Sequence, residues 1–296
     1  MQKFTKNPAN PIYGGPETGT LFDVYVQRLD GRYRMDFSWR PKGSLAVAFS
    51  DDGINWTEPR ITLGRNYDSG WEDQINRNCV IKVGGNYKMW YTGQARGYSF
   101  IGIAESDDGL DFHRSDSQPV LISERHWEGM SVMNPCVLYE SGIYRMWYAA
   151  GETYEPNVLA YAESGDGINW QKSRINPIIV ADKRHEYERD RVGGCQILPH
   201  HELGYLMFYI GYRDIHTACI CVAASPDGVT RWRRYRGNPI AVPTAGMWDA
   251  DACYKPSALY EPDRGCWRVW YNGRHEHTEY IGEISAAGDF CGDDFE

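Results

Sequence analysis

Five recurrences of one strand-and-turn unit predict an all-β fold, a five-bladed β-propeller whose ring is closed by the N-terminal strand pairing in the last blade. Two observations carry the blade count. Short runs of alternating or continuous apolar residues recur along the chain, as in Ile143-Tyr-Arg-Met-Trp-Tyr148 followed by Val158-Leu-Ala-Tyr-Ala162. Each run leads to a turn serine, and Ser50, Ser106, Ser164, Ser225 and Ser285 stand 56, 58, 61 and 60 residues apart. A third observation predicts the closure. Asn176-Pro177-Ile178 and Asn238-Pro239-Ile240, with Gln118-Pro119-Val120 as a variant, fall in the outermost strand of a blade, and the same tripeptide opens the chain at Asn10-Pro11-Ile12. The last blade lacks such a strand after Gly288, so residues near 10–13 are expected to supply it and cover an open sheet edge.

The blades are expected over Leu21–Leu63, Trp71–Leu121, Trp127–Val180, Tyr187–Val242 and Trp248 to the end. Length alone suggests about two domains, but the repeats fill the chain and predict one domain over 1–296. The connections are rich in Gly, Asp and Arg and carry no helical period, so almost no helix is expected. Hairpins such as Val83-Gly84-Gly85-Asn86 have the residues tight turns need. In the Ser-x-Asp-Gly turn, Asp52, Asp108, Asp166 and Asp227 are expected to bond turn amides while Gly takes a positive φ, a folding role.

Composition narrows the function. Net charge is −9 with no basic run, which disfavours nucleic acid as a partner. No apolar segment is long enough to cross a membrane as a helix. The first residues, Met1-Gln-Lys-Phe-Thr, lack an apolar signal core, so a cytoplasmic setting is expected. Eight cysteines are too sparse for a disulfide scaffold. Cys79, Cys136 and Cys195, with Ser257, read as one repeated slot in the first strand of successive blades, filled by small buried residues. Cys and His spacings suit no metal site, and no cofactor is expected.

Chemistry is expected where the inner strands converge on a channel mouth. The segments leading into those strands are polar, and four of the five open on an aromatic followed by an acid: Trp71-Glu72-Asp73, Trp127-Glu128, Tyr187-Glu188 and Trp248-Asp249. Convergence would bring together Asp23, Glu72 or Asp73, Glu128, Asp190, and Asp249 or Asp251, beside Arg77, Arg191 and Lys255. Several carboxyls around one concave site suit glycosidic bond cleavage, one protonated as acid and one ionised to activate water or attack C1. Salt-bridged acids that only hold the channel together are the competing reading for each.

The repeated Gly-x-Tyr-Arg-Met-Trp-Tyr and Ile-Gly-Ile-Ala-Glu-Ser-Asp-Asp-Gly segments resemble those of the five-bladed propeller glycosidases, glycoside hydrolase families 43, 32/68, 117 and 130. That resemblance covers nearly the whole chain. It implies a carbohydrate or oligosaccharide substrate, with Asp23 as base or nucleophile, Asp73 as the helper that tunes the acid, and Glu128, in Glu128-Gly129-Met130, as the acid. Glu188 and Asp190 are rivals for that last role. Asn134-Pro135 and Lys255-Pro256 stand where the group has Asp-Pro pairs. Trp71, Arg77, Trp127, Asp190, Arg191, Asp251 and Lys255 are expected to hold substrate.

Two alternatives follow from the same residues. Arg77, Arg191, Lys255 and His275 could bind phosphate, as phosphorolysis of the family 130 type requires. A non-catalytic sugar-binding propeller would instead use Trp71, Trp127, Trp248 and Tyr254 as stacking platforms.

Overall fold

Strands dominate the computed structural model, which describes residues 2–296. The N-terminal β1 (Thr5–Lys6) precedes a first antiparallel meander of β2 (Leu21–Leu29), β3 (Arg32–Trp39), β4 (Ser44–Ser50) and β5 (Arg60–Gly64). The second comprises β6 (Gln74–Val83), β7 (Asn86–Ala95), β8 (Tyr98–Ser106) and β9 (His113–Arg114). The third is β10 (Ser131–Glu140), β11 (Ile143–Glu152), β12 (Glu155–Ser164) and β13 (Gln171–Lys172). The fourth is β14 (Arg191–His200), β15 (Gly204–Asp214), β16 (Thr217–Ser225) and β17 (Arg233–Arg234). The last is β18 (Ala252–Glu261), β19 (Cys266–His275) and β20 (Thr278–Ala287). Among the described residues the only helical pieces are short 3₁₀ turns.

The N-terminal segment completes the last meander. β1 pairs with β20 through Thr5–Ser285 and Lys6–Ile284, and Tyr13 bridges to Ile281. Leu121, Ile179 and Ala241 make the equivalent bridge in meanders two to four. The Asn-Pro-Ile motif has a visible task. Asn176 accepts from the Tyr161 amide and donates to the Tyr161 carbonyl. Asn238 does the same to Val222, and Asn10 to Glu283. The asparagine side chain thus stands in for a strand residue where the outer strand bends away.

Meanders two to five are each fastened by one buried acid. Glu72, Glu128, Glu188 and Asp249, none more than 1% exposed, accept from the hydroxyls of Tyr91, Tyr148, Tyr209 and Tyr271 on the second strand. Each also takes a cation from the outermost strand: Arg114, Lys172, Arg234 and Lys6. Lys6 therefore does for the last meander what its counterparts do for the others.

Neighbouring meanders are joined by two repeated contacts. The Ser-x-Asp-Gly turn is built as expected, with Asp166 accepting the amides of Ile168 and Asn169 and Gly167 at φ 81°. Its glycine carbonyl also receives an indole N–H from the preceding meander. Trp90 donates to Gly167, Trp147 to Gly228, and Trp270 of the last meander to Gly53 of the first. Deeper in, a small side chain on one first strand accepts the amide of the next. Cys79 takes Val137, Cys136 takes Ile197, and Ser257 takes Val26.

That second contact corrects the cysteine slot. Cys195 does not share it; Gln196 does, accepting from the Ala258 amide and lying opposite Phe208. Gln196 faces Phe208 as Cys79, Cys136 and Ser257 face Trp90, Trp147 and Trp270, and Cys195 lies one position nearer the bulge.

Candidate active site

Every first strand is interrupted by a β-bulge near its start. The positions are Asp23, Arg77, Asn134, Gly194 and Lys255. Four of these are left-handed, with φ of 58°, 57°, 54° and 50° at Asp23, Arg77, Asn134 and Lys255. Non-glycine residues adopt that conformation at roughly 1–2 kcal/mol each, and such strain gathers at working sites. Side chains of the preceding meander hold three of the amides: Asn272 Oδ1 accepts from Asp23, Ser38 Oγ from Arg77, and Thr92 Oγ1 from Asn134. At Gly194 a Cβ would meet Asn134 Nδ2 at 2.9 Å.

Asp23, Arg77 and Asn134 line a cavity of about 210 Å³ together with Arg40, Tyr254, Arg274 and Glu279. Arg77 Nε lies 3.7 Å from Asp23 Oδ2, an oxygen that is buried and accepts no hydrogen bond within the protein. Asn134 Oδ1 is likewise buried without a partner.

The second carboxyl is Glu279, 8% exposed. Fully buried Asn272 ties it to Asp23, accepting the Asp23 amide at 3.2 Å and donating to Glu279 Oε2 at 3.0 Å. Burial pushes the Glu279 carboxyl up to about 7; Arg40 opposes the rise and the Asp23 charge adds to it. Burial also raises Asp23, against the Arg77, Lys255 and Arg40 charges that favour its ionised form. The two carboxyls thus influence one another's charge across the same cavity.

Several expected site residues lie elsewhere. Glu128 is one of the meander latches: Oε2 accepts the Glu124 and Arg125 amides and the Lys172 ammonium, and Oε1 accepts Tyr148. Burial pushes it up, but those donors outweigh burial and hold it below the usual carboxylate range. Its partners favour the charged form and it does not line the cavity, which corrects its assignment as acid. Glu188, its rival, is the equivalent latch. Asp73 precedes β6 and lines neither this cavity nor the groove described below. Trp71, 6% exposed, packs on Gly93 and Gly102 and donates to the Ser117 carbonyl. Trp248 packs likewise on Gly273 and Gly282, and Trp127 packs against the core of the third meander. None of the three is a sugar platform. Asp190 and Arg191 pair with each other beside a separate surface depression. Asp251 accepts the Glu276 amide beside the neighbouring groove.

Glu279, Arg40 and Arg274 are additions that the sequence reading missed. One signal existed for Glu279: two residues before Ile101 and Ile220 stand Ser99 and Ala218, whereas an acid stands two before Ile281. His200, His201 and Asp289 also come together. His200 Nδ1 already accepts the Leu203 amide and Asp289 Oδ1 the Trp267 indole N–H, so the group locks a hairpin.

Residues 25–177 match the model described as the glycosyl hydrolases family 32 N-terminal domain. A Mycobacterium tuberculosis protein described as uncharacterized is 25% identical over 251 residues, 80% of this chain and 79% of that one. Among solved structures, a thermostable family-43 glycoside hydrolase covers 98% of this chain and 95% of its own, with TM-score 0.71 and 19% identity. The beta-1,2-mannobiose phosphorylase from Listeria innocua covers 95% and 96%, with TM-score 0.69 and 14% identity. The fold is that of these propellers.

Proposed function

This chain belongs to the family of the glycosyl hydrolases family 32 N-terminal domain, and from that premise we propose that it cleaves a glycosidic bond with Asp23 and Glu279 as its two carboxyls. The observation that carries the proposal is their shared cavity, with Asn272 bonded to both residues and the Glu279 carboxyl raised to about 7. Glu279 takes the acid role expected of Glu128. Its proton goes to the glycosidic oxygen, the bond to C1 breaks with its electron pair to that oxygen, and Asp23 supports attack at C1 as base or nucleophile. Arg77 and Lys255 favour the ionised Asp23 this step uses.

The five meanders form one closed ring and one domain in this reading. Its support is that the end-to-start contacts Ser257–Val26, Trp270–Gly53 and Lys6–Asp249 repeat those made within the chain. The substrate is a carbohydrate.

Arg40, Arg77, Arg274 and Lys255 around Asp23 and Glu279 favour a second reading, phosphorolysis, in which phosphate replaces water as the attacking group. One glycoside panel tests both. Asp23→Asn should abolish turnover of every substrate. Glu279→Gln should lose the fall in kcat/KM above pH 7 and be rescued on glycosyl fluorides, whose leaving group needs no proton. An unchanged pH profile in Glu279→Gln would refute the acid assignment. Turnover that requires inorganic phosphate would select phosphorolysis, and turnover in phosphate-free buffer hydrolysis.

A further inference from the structure

A groove of about 1020 Å³ lies between the fourth and fifth meanders and outside the catalytic cavity, yet the two share His216, Ala218 and Arg274. It is a groove of the size that holds small organic ligands, leading directly out of the site. Its floor comes from the segment between Pro239 and Ala250, with Val242, Pro243 and Ala245, and from Tyr187 on the facing side. Those floor side chains, Tyr187 apart, offer no hydrogen-bonding group. On the opposite side stand polar groups: Asp251, whose Oδ2 accepts the Glu276 amide at 2.6 Å, Arg213, whose Nε donates to Asp214 at 3.4 Å, and Thr217, Glu276 and His277.

Arg274 stands at the junction. Its Nη2 donates to the His216 carbonyl at 2.8 Å, its guanidinium lies over the Tyr254 ring, and its Nε is buried with no partner. A donor fixed in this way at the outlet of the catalytic cavity suits a single substrate oxygen. Beyond it, a second sugar would turn the hydroxyls of one face toward proline, valine and alanine, at the cost of unmade hydrogen bonds there. An apolar group loses nothing there and sheds its hydration.

We propose that this groove is the aglycone site and that it takes an apolar alcohol, aryl or alkyl, in preference to a second sugar. The inference rests on the glycosidase reading for its catalytic consequence, while the binding itself can be tested without turnover. Ala250→Trp fills the floor without touching Asp23, Glu279 or Arg274. Two measurements decide. Calorimetry with free 2-naphthol should show binding to the parent protein and a loss of about tenfold or more in Ala250→Trp, as expected when a pocket of this kind is filled. With the sugar found in the panel, the 2-naphthyl glycoside should be cleaved at least about tenfold faster in kcat/KM than the disaccharide with the same glycosyl unit. Ala250→Trp should remove that advantage and leave the glycosyl fluoride unaffected. Equal 2-naphthol binding by both proteins, or a preference for the disaccharide, would overturn the proposal. Failure on the fluoride would count instead against the catalytic reading, and the naphthol measurement would still decide the groove.

Discussion

Replacing Glu279 by Gln should make the protein more stable as pH rises, because the site holds a carboxyl where burial disfavours its charge. In the folded state its pKa stands at about 7 against an ordinary 4.5. Between those values the native chain binds more protons than the unfolded one, so stability falls as pH climbs through that window and is level above it. At about 1.4 kcal/mol per unit the full rise is worth about 3 kcal/mol, an order-of-magnitude figure. The glutamine keeps an oxygen to accept from Asn272 Nδ2 and has no charge to desolvate. Urea unfolding of both proteins at half-unit steps from pH 5 to 8 measures the effect. The difference between them should move in favour of Glu279→Gln by about 2–3 kcal/mol across that range and flatten near pH 8. In an Asp23→Asn background the movement should shrink, since the Asp23 charge contributes to the rise. A difference independent of pH would refute the argument, and so would a shift in the opposite direction.

Two further predictions separate fastening from chemistry. Four groups donate hydrogen bonds to Glu128, so Glu128→Gln removes the buried charge that Lys172 pairs with and forces the Tyr148 hydroxyl to turn from donor to acceptor. Chemical unfolding should show a loss of about 3 kcal/mol, while turnover per folded molecule is unchanged. Lys6→Met removes the cation that fastens the last meander to Asp249. Limited proteolysis should then cut residues 7–15 faster, with a stability loss on the order of 2 kcal/mol.

The repeats were legible because each copy states the same local rule. Ser-x-Asp-Gly fixes a turn by its own side-chain bonds, and Asn-Pro-Ile marks the outer strand wherever it occurs, so Asn10 matches Asn176 and Asn238 on sequence alone. The aromatic–acid pairs were equally visible, but their meaning was not. Trp127-Glu128 before an inner strand looks the same whether the acid faces a cavity or a tyrosine and a lysine, and only the fold brings Tyr148 and Lys172 around it.

The sequence by itself determined the strand period, the turns, the place of the N-terminal segment and Asp23 as a residue of the channel, since each depends on contacts within one repeat or on matching one repeat to another. Tertiary structure alone decided which second carboxyl meets Asp23. Glu279 lies 256 positions away in the chain, on the third strand of the last meander, and reaches Asp23 through Asn272 because the final and first meanders pack side by side. Its raised pKa has the same origin: desolvation is a property of the assembled cavity, and no stretch of chain carries it alone.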